Sequence, residues 1–223
     1  MIEIILLVSS VLFIFALKLF GRPSTAHRAN TFAMLAMALA VFSAFNFDFS
    51  NYDPAFYITI VVSGLLGVLI SKRVQMTQMP ELVGLFNGFG GGASGAIAYV
   101  ELSGNSLPIS DVFVAIFSMV IGIFTFSGSL VAVMKLRGKL NNFNKKLADI
   151  FSVFLPTIIV IPAVLEMDDL LMEFIILVSL IAGIIRVAVI GGADMPVVIA
   201  FLNSLSGIAA MSAGFIVNSI ILI

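Results

Sequence analysis

Asn87 and Asn203 each lie seven residues beyond a proline, Pro80 and Pro196, inside otherwise apolar segments. Proline is well suited to the first turn of a helix, so each amide sits about 10 Å along a helix at 1.5 Å per residue. A side-chain amide both donates and accepts hydrogen bonds, but it does not take up and release a proton near neutral pH. Its chemistry is therefore to line a hydrated path and hold water, or to bond a neighbouring helix. The residues alone leave both readings open, and in the second the bond contributes about 1 kcal/mol. The usual carriers of protons within membranes are Asp, Glu and His. No carboxylate lies in the middle of an apolar segment here, and the single histidine, His27, is in a loop. The absence of cysteine excludes soft-metal sites and leaves the redox compartment unreadable.

The two asparagines belong to stretches that resemble one another. Residues 79–95 read MPELVGLFNGFGGGASG and residues 195–214 read MPVVIAFLNSLSGIAAMSAG. Met79, Pro80, Asn87, Gly91 and Ala93 match Met195, Pro196, Asn203, Gly207 and Ala209 at a constant offset of 116 residues. The offset also lays Ser63 on Ser179 and Gly67 on Gly183. A chance match between two helices is the plainer alternative to a repeat.

The elements that must carry these residues follow from composition. Hydrophobic residues make up 61% of the 223 positions and charged residues 10%, with a mean hydropathy of +1.21. A soluble domain carries about a quarter charged residues, so the chain reads as an all-α, polytopic transmembrane bundle. Eight apolar spans are predicted, at about 2–20, 31–47, 54–71, 80–100, 111–134, 147–165, 170–190 and 196–218. Spans this long without alternation are helical, because lipid leaves the backbone only helices or closed barrels. The 116-residue offset lays spans one to four on five to eight. The prediction is one transmembrane domain over 1–223, built from two parallel four-helix repeats at about 1–107 and 117–223.

Charge sets an expected orientation. All eleven Lys and Arg residues fall at one set of span ends, and nine of the twelve acidic residues fall at the other. The excess of Lys and Arg puts the first set in the cytoplasm and the N-terminus outside. The first span lacks a basic leader and a small-residue cleavage site, and is read as a retained helix. A net charge of −1, with no basic run interleaved with aromatics, gives no sign of nucleic-acid binding.

Several other features carry weaker chemistry. Gly90 to Gly95 formally match the dinucleotide fingerprint G-x-G-x-x-G. That fingerprint needs a preceding strand and a βαβ unit, and a membrane span offers neither. Gly84, Gly88, Gly92 and Ala96 instead form a stripe of small residues suited to close helix packing. Glu81 and Asp194 flank the two Met-Pro turns. Asp194 could pair with Arg186, Lys72 or Arg73, or the two acids could form an entrance that a soluble partner controls. Thr125, Ser127, Ser129, Ser204, Ser206 and Ser212 are expected to bond back to their own helices more often than to line a path. Pro156 and Pro162 predict a kink in the sixth span.

RVQMTQMPELVGLFNGFGGGAS and GGADMPVVIAFLNSLSGIAA together resemble the membrane domain of the β subunit of proton-translocating NAD(P) transhydrogenase, and the similarity covers essentially the whole chain. The resemblance implies a membrane machine that couples inward proton movement to hydride transfer from NADH to NADP+, with the hydride chemistry in soluble domains. Many members of that family carry a proton-handling histidine at the position of Asn87. The asparagine here implies a histidine supplied by a partner membrane subunit. Asn203 and Asp194 match the family's asparagine and loop acid. The family's β subunit continues into a ninth helix and an NADP(H)-binding domain, so a chain ending in NSIILI is expected to be truncated or split from them.

The combined expectation is the proton-conducting core of a transhydrogenase in a bacterial-type inner membrane. Asn87, Asn203, Ser204 and Ser206 would form the proton path, and Asp194, Glu81 and Arg186 the cytoplasmic coupling mouth. Gly84, Gly88 and Gly92 would serve helix packing. No cofactor or metal is expected in this chain, and NAD(H) and NADP(H) are implied on missing or partner domains. The implied partners are α subunits, the NADP(H)-binding domain, the lipid bilayer and a second copy of the complex. The rival readings are a small-solute transporter or channel without hydride chemistry, and a purely structural anchor that would tolerate Ala or Leu at both asparagines.

Overall fold

A computed structural model describes residues 2–44, 53–104, 107–140, 168–219 and 222–223. Within them run seven long helices: α1 (Ile2–Phe20), α2 (Ala26–Ala44), α3 (Pro54–Arg73), α4 (Met79–Gly104), α5 (Ile109–Leu136), α6 (Asp169–Ala188) and α7 (Met195–Ile216). They correspond to the predicted spans one to five, seven and eight. The predicted sixth span, with Pro156 and Pro162, lies outside the described residues. Helices α1, α3, α5, α6 and α7 are long and apolar enough to cross a membrane. The polar residues His27, Arg28 and Asn30 explain why α2 is not among these five, and the glycines, Glu81 and Asn87 explain α4. The chain is an all-α, multi-pass membrane bundle.

The helix ends follow the local chemistry. Short 3₁₀ turns at Met76–Gln78 and Gly192–Asp194 lead into α4 and α7, and each of these helices carries its proline in the first turn. Asp168 caps α6 by accepting from the Leu171 amide at 2.8 Å. α5 ends where Gly138 takes a left-handed φ of 65°, with Lys139 N–H donating to the Met134 carbonyl at 3.0 Å and Gly138 N–H to that of Lys135 at 2.9 Å. That is a Schellman end, which glycine reaches without a Cβ clash. Asn218, at φ 51°, ends α7 the same way, with Ser219 N–H on the Gly214 carbonyl.

The chain divides into two compact units, Met1–Lys72 and Arg73–Ile223. In the first, α1 and α2 pack antiparallel over small residues. Ala16, Ala29, Ala36 and Ala40 are buried, Ser9 donates to the Ala36 carbonyl at 2.8 Å, and Phe15 meets Phe32 edge-on at 5.2 Å. α3 buries none of its residues.

In the second unit α5 is the central helix, packing on α4, α6 and α7. Two apolar clusters sit at its ends. One joins Ile116 and Met119 to Ala98, Ile175 and Ile216; the other joins Val131 and Ala132 to Val187, Met195, Ile199 and Leu202. Between them the buried side chains turn polar: Thr125, Ser127 and Ser129 on α5, with Asn87 opposite on α4. A polar layer enclosed by apolar ones is costly in lipid unless its members satisfy one another.

Candidate functional site: a polar cleft between α4 and α7

Glycines bring the site together. A Cβ on Gly91 would lie 2.9 Å from the Gly122 carbonyl, and one on Gly122 would lie 2.5 Å from the Gly91 carbonyl and 2.7 Å from the Gly95 nitrogen. Higher and lower along the same seam, Gly84 faces Val133, Gly88 faces Ser129 and Gly95 faces Ile123. The order runs oppositely in the two helices, so α4 and α5 are antiparallel and touch backbone to backbone. The predicted stripe supplies Gly84 and Gly88, while Gly92 packs on the Phe126 ring. The closest approach, however, is through Gly91 and Gly95, giving spacings of four, three and four. This is the alternation by which one helix face follows a partner along its length. Gly183 of α6 does the same job on the opposite side of α5, where a Cβ would run into Ser127 Oγ and the Phe124 carbonyl.

α4 and α7 run parallel. Gly84 faces Ile199, and Ser206 Oγ donates to the Asn87 carbonyl, 119 residues away in sequence, at 3.2 Å. These pairings bracket the 116-residue offset, so Asn87 and Asn203 stand at similar depth. Between the helices opens a cleft of about 540 Å³ lined by Val83, Phe86, Asn87, Gly90, Asn203, Ser206, Gly207 and Ala210. A Cβ at Gly90 or Gly207 would meet nothing within 4 Å.

The two amides differ in setting. Asn87 is 7% exposed, and its Nδ2 donates to Ser129 Oγ at 2.9 Å. Its Oδ1 is buried with no hydrogen-bond partner among the described residues, and the same is true of Thr125 Oγ1. Asn203 is exposed on the cleft wall. Of the hydroxyls, Ser127, Ser204 and Ser212 do bond back to their own helices, at Phe124, Ala200 and Ile208. Ser129, Ser206 and Thr125 do not follow that rule: two of them bond Asn87 across a helix interface, and the third bonds nothing described.

The start of α4 and the end of α6 are tied to the C-terminal end of α5. Arg137 Nε meets Glu81 Oε2 at 2.6 Å, and the buried Lys135 donates from Nζ to the Ile190 carbonyl at 2.7 Å, just past the end of α6. A cation on the last carbonyls of a helix satisfies groups the helix itself leaves open. Asp194 stands exposed at the N-cap of α7 and makes no capping bond there. Arg186 is exposed in the last turn of α6. The partner of Glu81 is thus an arginine 56 residues away, a pairing that no local pattern in the sequence indicated. Among the described residues no group of three or more His, Asp or Glu side chains is arranged to hold a metal.

The fold and the cleft define a helical membrane bundle in which a buried polar layer between α4 and α5 adjoins a cleft between the parallel helices α4 and α7. The chain belongs to the NAD(P) transhydrogenase beta subunit family, which matches it over residues 2–223. It is 31% identical over 231 aligned positions to the NAD(P) transhydrogenase subunit beta of Rhodospirillum rubrum, and equally so to that of a named strain of the species. Each alignment covers 97% of this chain and 50% of the relative. The chain therefore spans about half the length of the curated relatives it matches.

Proposed function

We propose that this chain forms the membrane-embedded, proton-conducting part of an NAD(P) transhydrogenase, with the α4–α7 cleft as part of its path. The observation that carries the reading is the cleft itself: two amides at similar depth, one of them with a buried oxygen lacking a partner among the described residues, beside a polar layer. Such a wall stabilises water and orients a proton carrier without being one. In this reading Asn203, Asn87, Ser204 and Ser206 hold the hydrated file, and a histidine from a partner membrane subunit enters the cleft to take and release the proton. Family membership supports an α-subunit partner; the reading adds a dimeric complex in a bacterial-type inner membrane.

Hydride transfer between NADH and NADP+ takes place on nucleotide-binding domains outside these residues. The Lys and Arg ends face the cytoplasm, where Glu81, Asp194 and Arg186 meet the NADP(H)-binding domain. Glu81, held by Arg137 at the end of α5, connects that surface to the helix that also carries Ser129.

The test is a tagged purification from native membranes in mild detergent, followed by NADPH-driven reduction of an NAD+ analogue and proton uptake in proteoliposomes. Co-purified nucleotide-binding subunits with coupled activity are expected. Asn203→Ala should lower coupled proton movement by at least about tenfold while leaving insertion and assembly intact. Normal pumping by a correctly assembled Asn203→Ala complex overturns the reading. Solute uptake by the chain alone, without hydride transfer, would transfer the cleft to a transporter.

A further inference from the structure

Asn87 Oδ1 and Thr125 Oγ1 are two buried oxygens without a described partner, and the same neighbours surround both residues. On α5, Thr125 lies one turn from Ser129, which binds Asn87. On α4, Gly91 lies one turn from Asn87, and the position of its missing Cβ is 3.1 Å from Thr125 Cβ and 3.2 Å from Ser206 Oγ. Ser206 in turn bonds the Asn87 carbonyl. Asn87, Thr125 and Ser206 thus border Gly91 from three helices, with Asn87 and Gly91 one helical turn apart, roughly 5.4 Å. One water making two O–H···O bonds of about 2.7–2.8 Å spans a gap of that order.

A buried threonine in a helix ordinarily bonds the carbonyl one turn back, as Ser179 and Ser212 do here. Thr125 is fully buried and does not. Turning the Asn87 amide over would exchange which end meets Ser129 but leave the other end unpaired. An orphan polar atom in a membrane interior costs on the order of 1–3 kcal/mol, and two in one junction point to a shared guest. Asn87 and Ser206 line the open cleft, so the guest has a way in, and the mixed donor and acceptor lining selects water over an ion.

We propose that Asn87 and Thr125 hold a bridging water at the junction of α4, α5 and α7, which extends the hydrated path one turn beyond the cleft into the α4–α5 seam. Thr125 is a positioning residue for that water. The inference rests on the proposed proton path for its purpose, but the water site stands on geometry alone.

The test compares Thr125→Val, which keeps the shape and removes the hydroxyl, with Thr125→Ser, which keeps the hydroxyl, in the assembled complex. A cryo-EM map showing ordered water is expected to place one within hydrogen-bond reach of both oxygens in the wild type and in Thr125→Ser, and none in Thr125→Val. Coupled proton translocation should fall about tenfold in Thr125→Val, the effect of losing roughly 1.4 kcal/mol, and return in Thr125→Ser. If Thr125→Val does not assemble, Thr125→Ala, which cannot clash, takes its place. Water unchanged in the variant lacking the hydroxyl, or no water there in the wild type, overturns the site. Water lost with translocation unchanged overturns the extension of the path and leaves the cleft reading standing; normal pumping by Asn203→Ala removes the cleft reading and leaves the water site.

Discussion

α4 and α7 open with the same Met-Pro turn and carry an asparagine at the same position, yet their surroundings are opposite. Along α4 the glycine face is covered by α5, Gly91 lies against Gly122, and Asn87 is held by Ser129. Along α7 the matching Gly207 faces open space and Asn203 is exposed on the cleft. The same residue types therefore bind a neighbouring helix on α4, where Asn87 also borders the cleft, and stand open on α7. The neighbour decides, not the motif.

The sharpest way to break this comparison is at the glycines. Gly122→Val must push a side chain into the Gly91 carbonyl and the Gly95 nitrogen, neither of which is a flexible group. Overpacking of this kind costs about 1–3 kcal/mol or more, and the complex is expected to lose assembly or melt well below the wild type. Gly207→Ala meets nothing within 4 Å and should melt within error of it. A Gly207→Ala variant as damaged as Gly122→Val would mean that α7 is as tightly enclosed as α4.

A smaller effect separates the amides. Asn87→Ala removes a cross-helix hydrogen bond and should lower stability by about 0.6–1.7 kcal/mol, with Ser129→Ala close behind and the pair non-additive in a double-mutant cycle. Asn203→Ala should leave melting unchanged. Equal thermal losses at Asn87 and Asn203 would remove the distinction. The smallest effect is expected at Arg137 and Glu81, whose side chains are 52% and 17% exposed. Solvent screening limits such a pair to about 0.2–1 kcal/mol. Glu81→Gln should cost no more than that and lose its effect at high salt; a large, salt-independent loss would make the pair a buried strut.

Seven of the eight predicted spans were legible as helices because membranes demand long apolar runs, and an amide repeated within two of them stands out. The small-residue stripe on α4 was legible in kind but misplaced in register: Gly91 and Gly95 make the tightest contacts, because antiparallel packing follows alternating steps of four and three. The centrality of α5 was not legible. Its role comes from Gly122 and Gly128, which are isolated in its sequence and gain meaning only opposite Gly91, Gly95 and Gly183. Nor could periodicity separate Thr125, which has no described bond, from Ser127, which bonds its own helix. The pairing of Glu81 with Arg137 joins two distant turns, and local spacing favours nearer candidates.

The backbone contact between Gly91 and Gly122 has a mechanical side. Two helices touching at their main chains, with Gly84, Gly88 and Gly95 engaged along the same line, cannot roll against each other without collision. α4 and α5 therefore act as one rigid plate. α7 meets α5 through side chains: Leu202 at Gly128, Ser118 Oγ on the Ala209 carbonyl, and Met195 and Ile199 in the apolar cluster with Val131 and Ala132. Asn87 is thus mounted on a backbone-to-backbone contact, whereas Asn203 stands on a helix held to α5 through side chains.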